Sequence, residues 1–274
     1  MQASDWAGAI GETWAEEWVR TDRTFAPVDA ALVAAIAARL AGVDAPRILD
    51  VGCGAGRTSL SLADALPDAQ VTGIDLSPAL VAAAQGRAGD DSRCRCRFLV
   101  ADAGTWTDEG GFDLIASRHG VMFFDDAVAA LATIRARAAP GAPLVFSCFR
   151  APSLNPWASG LARLVGGPAP DPFAPGPFAF ADSQHVAGLL AAAGWRGAHA
   201  IPLDFTYVAG GGADPVADAV GLFLRIGPTA FAMRTAEGGE RERLRAGLDA
   251  LVRDHLIDGE VAFPAAAWIW SATA

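Results

Sequence analysis

The residues best suited to chemistry lie in one short stretch, the sequence ILDVGCGAGR at residues 48–57. Its apolar beginning predicts a strand, and residues 58–66 behind it have a helical pattern. Glycines at positions 52, 54 and 56 allow the backbone to turn sharply and to approach a ligand closely, because no Cβ stands in the way. Such a turn directs the free N–H groups of the following helix towards whatever binds there. We therefore expect a ligand site at this turn.

Two carboxylates indicate the kind of ligand. Asp75 ends the next apolar run, at the position where an acid holds a ribose diol. Asp50 stands two residues before Gly52, where a carboxylate repels a pyrophosphate and attracts an ammonium or sulfonium group. The spacing is G-x-G-x-G, whereas the dinucleotide fingerprint is G-x-G-x-x-G/A. These features favour S-adenosyl-L-methionine as the cofactor, with a nicotinamide-dependent oxidoreductase as the alternative.

The composition limits the possible partners. The chain has 274 residues, 52% of them hydrophobic and 19% charged, which is typical of a protein with a large buried core. A net charge of -10 argues against binding nucleic acid. The four cysteines, at positions 53, 94, 96 and 148, match neither a disulfide framework nor a zinc site. No signal peptide or long apolar run is present, so we expect a cytoplasmic protein with no membrane partner and a small-molecule substrate.

An alternation of strand and helix patterns predicts the fold. Short apolar runs separated by helical segments favour a Rossmann-like, doubly wound α/β fold with a mostly parallel sheet. Two late strands separated by a helical insert predict an antiparallel edge strand and a cap. In such sheets ligands bind at the carboxyl ends of the strands, where Asp50, Asp75, Asp102 and His119 fall. The predicted strands lie at 48–51, 70–75, 97–101, 112–117, 144–149, 201–208 and 265–270. An amphipathic helix is predicted before them, from Pro27 to Leu40.

We expect residues 1–274 to form a single domain. Residues 1–45 would supply helices that cover the cofactor, and residues 46–150 would form the cofactor-binding core. Insertions at 151–181 and 209–258 would form a cap. The first insertion is rich in proline and aromatic residues, a composition that favours a lid packed on a ligand site.

The core from about 45 to 150 resembles the class I S-adenosylmethionine-dependent methyltransferases. ILDVGCGAG resembles the first motif of that family, VTGIDLS its ribose-binding motif and FLVADA its adenine-binding motif. FDLIASRHGVMFF resembles the fourth-strand motif, and AAPGAPLVF the helix, turn and strand that follow. Outside the core, the W-x-G-x-x-G-x-x-W pattern at residues 6–14 and FLRIGP at residues 223–228 resemble a bacterial subgroup of small-molecule methyltransferase-domain proteins.

The resemblance implies cofactor contacts for particular residues. The glycine turn, including Cys53, would surround the methionine part, with Asp50 near its ammonium group. The alternative for both Asp75 and Asp102 is a helix cap or a turn. The implied cofactor contacts are Asp50, Gly52, Cys53, Gly54 and Gly56 on the methionine part, Asp75 on the ribose, Leu76, Asp102 and Ala103 on the adenine, Ser117 and Arg118 beside the methionine part, and Trp14 over the pocket.

His119 is the candidate catalytic residue. A sulfonium methyl group is already activated, so the enzyme mainly aligns donor and acceptor and excludes water. If the acceptor is a hydroxyl, a histidine suits the removal of its proton. His119 lies at a strand end beside the cofactor motif, where it serves either as this base or as a polar wall.

Aromatic residues are the candidates for an acceptor pocket. Trp157, Phe178, Tyr207 and Phe223 would line an apolar pocket, or else belong to the core. Asp125 and Asp126 open a predicted helix, where acids complement the helix dipole, so we expect no metal site. The sequence thus predicts methyl transfer to a small, fairly apolar acceptor, with O-methylation preferred. A cofactor-binding protein of this fold without methyl transfer is a further alternative.

Overall fold

The protein is described by a computed structural model that covers residues 3–89, 95–107, 109–168 and 170–274. Within these residues, one sheet is formed by β1 (Arg47–Val51), β2 (Gln70–Asp75), β3 (Cys96–Val100), β4 (Leu114–Arg118), β5 (Pro143–Phe149), β6 (Arg196–Gly210), β7 (Leu256–Ile257) and β8 (Glu260–Thr273). The helices are α1 (Ala3–Ala7), α2 (Ala9–Glu16), α3 (Trp18–Arg39), α4 (Arg57–Ala65), α5 (Pro78–Ala88), α6 (Ala127–Arg135), α7 (Pro156–Val165), α8 (Ser183–Ala192), α9 (Pro215–Arg225), α10 (Pro228–Thr235) and α11 (Gly238–Arg253).

The sheet has the order β3-β2-β1-β4-β5-β8-β6, with β7 paired to β8. The first five strands of this order run parallel, while β8 is antiparallel to both β5 and β6. The strand order reverses between β1 and β4, which is the switch point where sheets of this type bind ligands. The predicted Rossmann-like fold with a mostly parallel sheet is confirmed.

The central strands are buried on both faces, as parallel strands covered by helices must be. Four of the five β1 residues are buried, and Ile48 and Leu49 have no exposed surface. On one face, Ile48 packs in a cluster with Leu32 and Ile36 of α3. This packing holds the carboxyl end of β1, and with it the glycine turn, in a fixed position.

Helix α3 begins earlier than the sequence predicts. The pattern predicted a helix that starts at Pro27, because proline favours the first helical position, but the helix begins at Trp18 and continues through this proline. Contacts with β6 hold its early turns, since Arg23 Nη2 donates to Ala209 O at 2.8 Å and Thr24 Oγ1 donates to Val208 O at 3.1 Å. These tertiary contacts override the local preference.

The proline-rich insertion is more regular than expected. It contains α7, whose residues Trp157 and Leu161 are buried in the main hydrophobic cluster. Helices α7, α9, α10 and α11 pack on one another and form a cap over the carboxyl ends of the strands. Asp126 accepts a hydrogen bond from Ala129 N at 2.9 Å and so caps α6.

Three further features concern the cysteines, metal binding and membrane-spanning helices. Cys94 lies outside the described residues, and Cys53 and Cys148 are buried thiols. In the described ranges, no cluster of three or more histidine, cysteine or acidic side chains is placed to bind a metal ion. In those same ranges, no individual helix has the length and apolar character to cross a membrane, and only the bent pair α9–α10 meets those criteria jointly.

Candidate cofactor and acceptor site

The glycine turn is fixed at the carboxyl end of β1. Gly52 N and Cys53 N both donate to Ile74 O, at 2.9 and 3.1 Å. Gly52, Gly54 and Gly56 have φ values of +65°, +55° and +82°, which L side chains rarely adopt. A Cβ on Gly52 would lie 2.9 Å from the backbone of Gly120, whereas a Cβ on Gly54 would meet no atom within 4 Å. Gly52 therefore permits a close backbone approach, while the open space beside Gly54 is available to a ligand.

Asp50 lies beneath this turn with one carboxylate oxygen unpaired. Its side chain is fully buried, and Oδ2 accepts a hydrogen bond from Ser59 Oγ at 2.6 Å. Oδ1 has no hydrogen-bond partner among the described residues. Burial raises the pKa of this carboxyl group to about 7, against the lowering effect of Ser59. A buried, unpaired acceptor in a residue that lines a cavity suits a cationic ligand group.

Asp75 joins the turn to the end of β2. Its Oδ2 accepts from Gly54 N and its Oδ1 from Ser77 N, both at 2.9 Å. Burial raises the pKa of Asp75, while the two N–H donors lower it. The side chain thus supports the turn and also lines the cavity. Since each carboxylate oxygen accepts two hydrogen bonds, both oxygens keep capacity for ligand hydroxyls.

The predicted adenine contacts lie along the same wall. Leu76, Asp102 and Ala103 all line the cavity. Asp102 is exposed, and its Oδ1 accepts a hydrogen bond from Gly104 N at 2.8 Å, which forms a local turn. The other carboxylate oxygen of Asp102 accepts no hydrogen bond from the described residues.

Arg118 and Ser117 occupy different positions, although they are neighbours in the sequence. Arg118 lines the cavity, and its Nε donates to Thr58 Oγ1 at 2.9 Å and lies 3.6 Å from Asp29 Oδ1. Ser117 is fully buried behind the wall, where its Oγ donates to Val51 O at 2.7 Å. Ser117 therefore fixes the strand ends and does not itself line the cavity.

Aromatic side chains that line the same cavity, which has a volume of about 510 Å³, form a closed circuit. All members of this circuit line the cavity. The ring centroids are separated by 5.3 Å for Phe25–His119, 4.3 Å for His119–Phe149, 5.3 Å for Phe149–Trp157, 4.6 Å for Trp157–Tyr207 and 6.0 Å for Tyr207–Phe25. We call these five residues the aromatic circuit.

The other predicted acceptor contacts lie beside this circuit. Phe178 lines the cavity and lies 5.5 Å from Phe149 between ring centroids. Phe223 is buried behind Tyr207, at 6.4 Å, and is not among the lining residues. Trp157, Phe178 and Tyr207 are thus brought together, while Phe223 supports them from the core. Sequence analysis missed Phe25 and Phe149, although Phe149 ends a predicted strand and that position was a usable signal.

His119 adopts an unusual conformation and is almost completely buried. Its φ is +59°, and the residue is 9% exposed. Its Nδ1 lies 2.9 Å from Ser147 Oγ, and Nε2 is buried without a partner among the described residues. Burial, assisted by the charge of Arg118, lowers the pKa of His119 to about 3. The imidazole is therefore neutral at physiological pH.

The amino-terminal helices α1 and α2 meet the cap helix α9 at the mouth of the cavity. Trp6 and Trp14 of α1 and α2 line it from one side, with 5.7 Å between their ring centroids. The end of α9 lines it from the other side, where Arg225 forms ion pairs with Glu16 and Glu17. Sequence analysis identified Trp14 but not the bridge, because the partners lie about 209 positions apart.

Comparison with known proteins identifies the core of the chain. Residues 48–141 match the family model described as "Methyltransferase domain". This region, about a third of the chain, is similar to methyltransferase domains. It contains the glycine turn, Asp75, Asp102 and His119, so the cofactor side of the cavity belongs to the matched region.

Curated relatives match a little over a third of the chain. Trans-aconitate 2-methyltransferase of Methylobacterium radiotolerans is 37% identical over 103 residues, which make up 37% of this chain and 38% of that enzyme. Malonyl-[acyl-carrier protein] O-methyltransferase of a Paenibacillus species is 31% identical over 107 residues, or 38% of this chain and 39% of that enzyme. The chain thus covers well under half the length of these curated relatives.

Solved structures extend the likeness to the fold of most of the chain. The YcgJ protein of Bacillus subtilis has a TM-score of 0.57 at 17% identity, over 88% of this chain and 97% of that chain. Together, the comparisons support the predicted resemblance to class I S-adenosylmethionine-dependent methyltransferases over residues 48–141, and the Rossmann-like fold over most of the chain.

Proposed function

We propose that this protein transfers a methyl group from S-adenosyl-L-methionine to an oxygen atom of a small, fairly apolar acceptor. The observation that carries this proposal is that one cavity joins the glycine turn, with the unpaired Asp50 Oδ1, to the aromatic circuit. The two halves differ in character, since carboxylates line the first and rings line the second. A charged nucleoside cofactor and an apolar acceptor would each find a complementary half.

The residues of the first half fit the cofactor. The unpaired Oδ1 of Asp50 would receive the ammonium group, and the space beside Gly54 would receive the methionine part. Asp75 would accept from the ribose hydroxyls, and Asp102 with Ala103 would meet the adenine. Arg118 would lie beside the methionine part. When bound, the cofactor supplies a methyl group activated by a sulfonium charge.

The second half would orient the acceptor and exclude water. Rings such as Phe149 and Trp157 offer large apolar faces at low cost in conformational entropy. His119 is the polar group of the aromatic circuit nearest to the cofactor motif, so it would contact the reacting oxygen. Fixing the acceptor beside the methyl group supplies most of the rate enhancement that such a reaction requires.

Two further observations support oxygen as the methylated atom and a small molecule as the partner. The Paenibacillus relative is named as an O-methyltransferase, and the Methylobacterium relative is named for the small molecule trans-aconitate. The net charge of -10 disfavours a nucleic acid substrate. We propose a small-molecule partner and a cytoplasmic location on this basis.

A turnover assay tests the proposal. The purified protein is incubated with S-adenosyl-L-methionine and a panel of small phenols, alcohols and acids, and S-adenosylhomocysteine is measured by mass spectrometry. We expect product with some of these acceptors and none with a Gly54→Val variant, whose side chain would occupy the open space. Cofactor binding without turnover across the panel would contradict the proposed transfer. Turnover with nitrogen acceptors alone would contradict its preference for oxygen.

A further inference from the structure

Ser147 holds His119 through two separate contacts. The backbone N of His119 donates to Ser147 O at 3.1 Å, and Ser147 Oγ lies 2.9 Å from His119 Nδ1. Ser147 is fully buried on β5, beside the end of β4. The serine thus fixes both the backbone and the ring of His119. Sequence analysis did not single out Ser147.

The direction of the side-chain hydrogen bond follows from the needs of the serine. A hydroxyl carries one proton, and a buried donor without an acceptor is costly. In the described part of the chain, His119 Nδ1 is the group within hydrogen-bonding distance of Ser147 Oγ. The serine therefore donates to Nδ1, and the ring proton of the neutral imidazole resides on Nε2.

This tautomer makes His119 a hydrogen-bond donor towards its surroundings. Its Nε2 has no partner among the described residues, and the same is true of Nε1–H of Trp157. Both rings line the cavity and both contact Phe149, at 4.3 and 5.3 Å between centroids. The aromatic circuit thus contains two buried, unpaired N–H donors. Buried donors of this kind are satisfied by a ligand with acceptor oxygens.

We propose that Ser147 is a positioning residue that fixes His119 as a donor, and that the acceptor is a carboxylate with an apolar body. This inference rests on the proposed methyl transfer and names its substrate class. The carboxylate oxygens accept hydrogen bonds from His119 Nε2 and Trp157 Nε1, and the body packs on the aromatic circuit.

A carboxylate acceptor also removes the need for a base. A lone pair of the carboxylate oxygen forms the new bond to the methyl carbon while the carbon–sulfur bond breaks, and that electron pair stays on sulfur. The products are a methyl ester and a neutral thioether, and no proton is released. Since both charges disappear, a water-poor cavity favours the reaction.

The first experiment measures the tautomer itself. ¹⁵N-labelled histidine is followed by NMR in the protein alone and with S-adenosylhomocysteine. We expect His119 to carry its proton on Nε2 in wild type and to lose this preference in Ser147→Ala. His255 is an internal reference for the opposite tautomer, because its Nδ1 lies 2.9 Å from the carbonyl of Leu251. A proton on Nδ1 of His119 would overturn the inference.

The second experiment compares matched acceptors: 3-phenylpropanoate, 3-phenylpropan-1-ol and 4-ethylphenol. We expect the acid to have a kcat/KM at least about tenfold above that of either neutral compound. Affinity is also measured by calorimetry with S-adenosylhomocysteine bound, so that a compound that binds without turnover is counted. The inference would be overturned if the acid and the neutral compounds bound with equal affinity, if the acid did not bind, or if the phenol were the preferred acceptor. Turnover of the phenol would leave the proposed methyl transfer intact, whereas failure to bind S-adenosyl-L-methionine would remove both.

Variants distinguish the loss of one hydrogen bond to the acceptor from a general loss of packing in the protein. Trp157→Phe keeps a ring but removes the donor, so we expect the KM for the acid to rise about tenfold. Ser147→Ala is expected to raise the same KM, and Ser147→Thr to restore it. Trp195→Phe is the matched control, because its indole is buried away from the cavity and donates to Leu131 O. If Trp195→Phe raised the KM as much as Trp157→Phe, the contact would be refuted.

Discussion

Gly54 N donates to Asp75 Oδ2 at 2.9 Å, so the middle of the glycine turn is tied to the end of the neighbouring strand. One side chain therefore shapes the turn and presents oxygens to the cavity beside it. In Asp75→Ala we expect cofactor affinity to fall by a few kcal/mol at most, because charge-assisted hydrogen bonds are lost. Calorimetric titration measures the change. Unaltered affinity would count against the ribose contact.

The open space beside Gly54 allows binding to be separated from backbone strain. Gly54 and Gly42 both have positive φ, at +55° and +84°, and a Cβ on either would meet no protein atom within 4 Å. Alanine at either position is expected to cost about 1 kcal/mol of stability through strain. Only Gly54→Ala should weaken cofactor binding, because only this Cβ enters the cavity. Equal affinities in the two variants would show that this space is not used.

Cofactor binding should depend on pH through Asp50. Burial raises the pKa of this carboxyl group to about 7, and a ligand ammonium group binds the ionised form. Affinity should therefore fall about tenfold per pH unit below pH 7 and level off above it. Calorimetry in buffers of different ionisation enthalpy should detect proton release on binding near pH 6. An Asp50→Asn variant should bind weakly, with this pH dependence removed.

His119 should make the protein sensitive to acid. Its pKa is lowered from 6.5 to about 3, so the unfolded state binds more protons in that range. The stability associated with the neutral ring is complete above pH 6.5 and is lost as the pH falls towards 3. Denaturation from pH 4 to 8 should show a smaller loss of stability on the acid side in His119→Gln than in wild type. Parallel curves would contradict the burial of a neutral imidazole.

The bridge between the amino-terminal helices and α9 should slow release of the cofactor. Arg225 of α9 pairs with Glu16 and Glu17 across the mouth, and Glu17 is almost fully buried. We expect Arg225→Gln to speed cofactor dissociation severalfold in stopped-flow measurements, since opening would no longer break this contact. Arg243→Gln is the control, because Arg243 pairs with Glu240 at an exposed site on α11. Identical rates in the two variants would mean that the bridge does not hold the mouth.

Much of the cofactor half could be predicted from the sequence because its signals are local. Glycine spacing, strand ends and the acids at 50 and 75 all lie within one run of about 30 residues. The acceptor half could not be predicted to the same extent. Phe25 and Phe149, which sequence analysis missed, meet the predicted Tyr207 only after α3, β5 and β6 have packed together. The pairing of Ser147 with His119 arises likewise from the register of β4 against β5.

The boundaries of the strands and helices show the same difference between local signals and long-range contacts. The predicted β1 and β2 match the structure within a residue, since a short apolar run between breakers leaves little freedom. The start of α3 was wrong because contacts with β6 hold the turns before Pro27. Helix α7 was hidden in a proline-rich segment, where Pro156 is in fact the first helical residue.

The central claim is that the cavity at the glycine turn binds S-adenosyl-L-methionine. Isothermal titration of the purified protein with this compound, and separately with NAD and NADP, tests that claim most directly. We predict one molecule bound per chain, competition by S-adenosylhomocysteine, and no heat from either dinucleotide. Saturable binding of a dinucleotide with none of S-adenosyl-L-methionine would contradict the account.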